Sequence, residues 1–243
     1  MDQHVQESLL AAIAGFQTGI TSNLSAGIKL EPAHSALYHS LIEIFELKLD
    51  FMLKLKTMDD YFDSQDEFND LREFCFDLLM INFFTTDSLR FEEDYLDTPE
   101  WQQIEDDTLE RGTEMLNVFL YLRECKQEDI EPSLPDYLNE FLLVEDEDFQ
   151  DEHEIYEDII SNQGLMDTGY AEISAAAKLV PSDAPLKDVF YPILSFFLNP
   201  APDHEELKQF LVESVDKKYE NAVFYSLLVY FLGQENFSLP LEA

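Results

Sequence analysis

The sequence predicts an all-α protein, a multi-helix bundle of eight or nine helices. Three observations carry this. Apolar residues recur at helical spacing through nearly the whole chain. Its 243 residues include only 7 glycines, few for a fold built on tight turns. No stretch shows the apolar–polar alternation of a half-buried strand.

The elements follow in order. A first helix is expected over residues 3–19. A second opens at Glu31-Pro32, where the missing N–H of proline costs nothing in the first turn. It runs to about Lys56 with Leu37, Leu41, Ile44, Phe51 and Leu55 on one face. Ser64 is placed to cap a third over about 65–84, with Phe68, Leu71, Cys75, Leu78 and Asn82 in register. Thr98-Pro99-Glu100 combines a capping hydroxyl, a proline and a first-turn acid. The helix after it shows a heptad-like seam of Trp101, Ile104, Thr108, Met115, Phe119 and Leu122, suited to antiparallel packing in a bundle.

Short helices are expected over 135–143, 149–162 and 168–179. Ser182 or Asp183 caps a further helix over about 185–198, with Pro192 set to kink it. After the Asn199-Pro200-Ala201-Pro202 break, Asp203 with Glu206 reads as a capping box, which also explains His204. The last helix then runs to Leu232 and stops at Gly233. The best linker is 127–135, which contains Pro132 and Pro135. It divides residues 1–126 from 136–243, as two packed helical subdomains or as parts of one compact domain.

Charge is the second strong signal. The chain holds 52 Asp+Glu against 14 Lys+Arg, a net charge of −38. Segments 57–110 and 127–177 carry 32 of those 38, and the second contains no Lys or Arg at all. Direct nucleic-acid binding needs a basic footprint and is excluded. Basic anchoring to an anionic membrane is excluded as well. Salt adaptation would make every surface acidic, yet residues 1–56 are almost neutral, with 6 acids and 4 bases. Residues 222–232 form the longest strongly apolar run, too short to span a bilayer. Residues 1–20 lack the basic start of a secretory signal. Cys75 and Cys125 form no CxxC and read as buried thiols, so a cytoplasmic location is expected.

No nucleophile, phosphate-loop or dinucleotide motif is present, and the expectation is a protein that is not an enzyme, with no cofactor and no metal. Glu31-Pro-Ala-His34 has the Glu-x-x-His spacing of carboxylate-bridged metal bundles, but that site needs a second copy and two further glutamates. Residues 146–157 lie on a calcium-loop template with Asp151 where glycine is needed and His153 where an apolar residue is expected. What remains is an acidic surface interleaved with rings. Glu145, Asp146, Glu147, Asp148, Asp151 and Glu152, with Tyr137, Phe149 and Tyr156, are the expected partner-binding residues. Carboxylates steer a basic protein partner, and rings anchor it.

The expected function is that of an adaptor, chaperone or assembly factor. The alternative is a mimic of nucleic acid that inhibits a basic DNA- or RNA-binding protein. Size scaling gives a surface of roughly 11,000 Å². Its average charge density is then about a third that of B-DNA, so mimicry requires both acidic segments on one face.

Overall fold

In the computed structural model, which describes residues 1–21, 30–87, 90, 95–111, 114–141 and 149–234, the described residues form helices and no strand. The helices are α1 (Gln3–Thr21), α2 (Pro32–Glu46), α3 (Phe51–Phe62), α4 (Arg72–Thr85), α5 (Pro99–Thr108), α6 (Glu114–Glu128), α7 (Leu134–Phe141), α8 (Phe149–Ser161), α9 (Tyr170–Ala177), α10 (Phe190–Leu198), α11 (His204–Glu213) and α12 (Tyr219–Leu232). The all-α class holds, with twelve α-helices among the described residues where eight or nine were expected.

Three expected helices are broken in two, which accounts for the difference. The helix expected over 31–56 breaks at Asp50, whose carboxylate accepts from the Leu53 N–H at 3.0 Å and starts α3. The seam helix stops at Thr108 and passes into a 3-10 turn, Leu109–Arg111, before α6. The final helix breaks between Glu213 and Tyr219, where Asp216 accepts from the Lys218 and Tyr219 N–H groups at 3.2 and 3.1 Å. Ser64 does not cap α4. Its hydroxyl donates to the Tyr61 carbonyl at 2.6 Å, and a 3-10 segment, Asp66–Leu71, leads in instead. Pro192 falls in the first turn of α10, where a missing N–H breaks no bond. The Asp203–Glu206 capping box forms as expected, with Asp203 accepting from the Glu205 and Glu206 N–H groups.

Two helices are predominantly apolar all round, and such helices sit inside. All residues from Phe74 to Phe84 in α4 are buried, as are all from Glu220 to Tyr230 in α12. Helix α12 packs against α1, α10 and α6, while α4 packs against α6, α1 and α3. The α1–α12 pair is the most extensive contact, so the first and last described helices lie together. Glycine makes this closeness possible. A Cβ on Gly15 would lie 2.4 Å from the Asn221 carbonyl oxygen, and one on Gly19 would lie 2.2 Å from that of Lys217. One hydrophobic cluster runs from Val5 to Tyr230 through both sides of the 127–135 linker.

Basic residues close the helix ends. Lys54 donates to the Phe45 carbonyl of α2 at 2.9 Å, and Arg90 to the Phe83 carbonyl of α4 at 2.7 Å. Lys187 donates to the Ala177 and Val180 carbonyls at the end of α9. Lys126 donates to the Tyr230 carbonyl of α12 at 3.0 Å. Each satisfies an orphan carbonyl at the negative end of a helix dipole.

Candidate functional site

The turn between α11 and α12 builds a site from its own hydrogen bonds. Asp216 starts α12 from the outside. Glu220, in the first turn of α12, reaches back to accept from the Ser214 hydroxyl at 2.5 Å and the Val215 N–H at 2.8 Å. Burial pushes the Glu220 carboxyl above the ordinary carboxylate range, against these donors, which pull it down. Glu220 therefore sits as a buried acid at the floor of a cleft.

Three distant segments wall that cleft, which has a volume of about 370 Å³. The entry to α4 contributes Asp70 and Glu73. The end of α9 and the chain beyond it contribute Ala177, Lys178, Lys187 and Asp188. The α11–α12 turn contributes Val215, Asp216, Tyr219 and Glu220. Five carboxylates thus face two lysines, one of which, Lys187, is held on the α9 carbonyls. Glu73 is also held: Arg111 binds it at 2.8 Å and reaches Asp59 at 3.0 Å, with its guanidinium 4.5 Å over the Phe76 ring. Burial and the neighbouring acids Asp77, Asp188 and Glu73 keep the Tyr219 hydroxyl protonated. Val215 adds an exposed aliphatic side chain to the lining, 61% exposed, and Val212 and Leu179, close to the lining residues in sequence, are 72% and 85% exposed. The chemistry this offers is an acidic socket beside aliphatic contacts, suited to an ammonium or guanidinium on an apolar stem.

The expected partner residues fare differently. Tyr137 and Tyr156 are 0% and 1% exposed and cannot anchor a partner. Their hydroxyls bond each other at 3.0 Å, Asn117 donates to Tyr156 at 3.3 Å, and the Tyr137 ring stacks on Phe197. Their positions between acids in sequence concealed an inward-facing row of α7 and α8. Glu145, Asp146, Glu147 and Asp148 lie outside the described residues. Phe149, Asp151 and Glu152 belong to α8, and their side chains are likewise outside the description. The helical course of residues 149–157 rules out the calcium-loop template, which needs a sharp turn there. Among the described residues no three acids, histidines or cysteines converge as metal ligands. His34 is instead packed among rings, 5.2 Å from Phe68 and 6.4 Å from Phe16.

Sequence reading missed the cleft because its walls lie far apart along the chain. One signal was available: Ser214-Val215-Asp216-Lys217-Lys218 interrupts an apolar row with a capping acid. Cys75 and Cys125 are both buried and unpaired. No described helix is long and apolar enough to cross a membrane. No protein-family model, curated protein or solved structure matches this chain.

Proposed function

We propose that the protein is a non-enzymatic, acidic helical binding module, an adaptor, chaperone or assembly factor, for a protein with a basic surface. The observation that carries this is the cleft, with its buried Glu220, exposed Asp70, Asp188 and Asp216, and the exposed aliphatic Val215 beside them. A lysine or arginine of the partner enters the socket, and its apolar neighbour covers Val215. The long-range field of −38 sets the rate of encounter, while the Val215 contact sets residence.

Nucleic-acid mimicry stands second. The surface is 12,511 Å², which over 38 net charges is about 330 Å² each. B-DNA presents one charge per roughly 107 Å². Helix α6 packs on both α4 and α7, so the nearly neutral 111–126 segment stands between elements of the two acidic ones.

The test is affinity capture from the native cell over a salt ladder, with wild type compared against an Asp70→Asn, Asp188→Asn, Asp216→Asn variant. Asparagine at 216 preserves the cap. A basic partner retained by the wild type and reduced on the variant is the expected result. Equal retention by both, displacement of the partner by DNA, or no partner at any salt overturns the assignment.

A further inference from the structure

Three basic residues that make no ion pair with a described carboxylate line one pocket of about 370 Å³, separate from the acidic cleft. Lys48 comes from the α2–α3 link, Lys54 from the first turn of α3, and Arg90 from beyond α4. Among the described residues, none of the three lies within 4 Å of a carboxylate.

Two of these heads are fixed in place. Lys54 is anchored on the Phe45 carbonyl and Arg90 on the Phe83 carbonyl, with the Arg90 guanidinium 3.6 Å over the Phe83 ring. Each anchor uses one donor, and the Arg90 Nε is buried without a partner. Burial, and then the charge of Arg90, lowers the proton affinity of Lys54. Like charges held together in this way are relieved by an anion. Asp50, Asp87 and Glu100 also line the pocket. The Asp50 carboxylate is occupied by the Leu53 N–H as the α3 cap. Three acids thus offset three bases, and the pocket is neutral overall.

We infer that this pocket binds the phosphoryl group of a small molecule, held by Arg90 and Lys54 and steered by the exposed Lys48. A planar guanidinium beside an ammonium suits a doubly charged oxyanion. Leu49 and Phe51, which also line the pocket, offer an apolar wall to an organic substituent.

Calorimetric titration of the full chain at matched ionic strength tests this with two probes, inorganic phosphate and phenyl phosphate. Saturable one-site binding of either is expected. Tighter binding of phenyl phosphate identifies an organic phosphomonoester, and equal binding identifies the phosphoryl group alone. Lys48→Gln touches no helix end and should weaken binding a few-fold. Arg90→Gln should weaken it by about tenfold or more. Thermal unfolding of both variants confirms that they fold. Absence of saturation with either probe, or unchanged affinity in both folded variants, overturns the inference.

Discussion

Alanine at Gly15 should destabilise the protein, although alanine is the better helix former. Helix propensity alone favours Gly15→Ala by about 1 kcal/mol. The structure opposes it. The new Cβ would stand 2.4 Å from the Asn221 carbonyl oxygen, and the obstacle is backbone, which cannot rotate away. Restoring a 3.0 Å contact separates α1 from α12 by about 0.6 Å. A gap of about 0.5–1 Å forfeits a quarter or more of the dispersion well, about 1–3 kcal/mol for one buried Leu-sized side chain. Helix α1 fully buries Val5, Leu9, Ile13 and Phe16. The net loss is then about 2–4 kcal/mol. Urea unfolding, with the slope held constant, measures it. Gly164→Ala is the control, since a Cβ there meets nothing within 4 Å. A Gly15→Ala variant as stable as wild type, or more stable, would refute the close α1–α12 approach.

Three further outcomes are expected. His34 is buried with neither ring nitrogen hydrogen-bonded, and desolvation lowers its pKa against Glu31 and Glu67, which raise it, while Lys218 adds to the lowering. The unfolded chain therefore takes up this proton first, so stability falls as pH drops below about 6.5, by at most about 1.4 kcal/mol per pH unit. His34→Leu should remove that slope from the pH dependence of the unfolding free energy, and an unchanged slope would show that His34 is not its source. Replacing Glu145, Asp146, Glu147, Asp148, Asp151 and Glu152 with Ser or Gln should leave helix content by circular dichroism unchanged and weaken capture of the partner; unchanged capture removes them from the binding surface. Lys126→Met takes the donor from the Tyr230 carbonyl and should cost about 1 kcal/mol at any salt. Lys56→Met breaks only an exposed pair with Asp60 and should cost clearly less than Lys126→Met, less still in salt; equal costs for the two would contradict the helix-end role.

The helices were legible wherever an apolar stripe met a strong cap. Thr98 and Asp203 start helices where the sequence placed them, because a hydroxyl or carboxylate before a first-turn acid is a local signal. The break at Asp50 was not legible, because it interrupts an apolar row that continues in register on α3, whereas that at Asp216 carried only the weak signal of a capping acid. Tyr137 and Tyr156 were misplaced for the opposite reason. Their acidic neighbours dominate the local composition, while the side on which each ring sits depends on α7 and α8 packing over Asn117 of α6. The cleft depends on three segments meeting, and no local pattern records that. Val215, aliphatic yet 61% exposed and lining the cleft, is its one local trace.

The use of the few basic residues bears on what the acids are for. Lys54, Arg90, Lys187 and Lys126 each bind carbonyls at a helix end rather than a carboxylate. The described ion pairs are five, and only the Arg111 bridge to Asp59 and Glu73 joins elements far apart in sequence. The fold is held by its aromatic core and by capped helices, and most of the described surface acids take no part in either. Charge kept for stability would be paired, and charge kept only for solubility would need a net value of about 2–8. A net of −38 instead imposes self-repulsion that the fold does not require. Neutralising exposed cleft acids should therefore hold or raise the unfolding free energy while lowering affinity for a basic partner. That opposite movement of stability and binding is what separates a surface retained for recognition from one retained for folding.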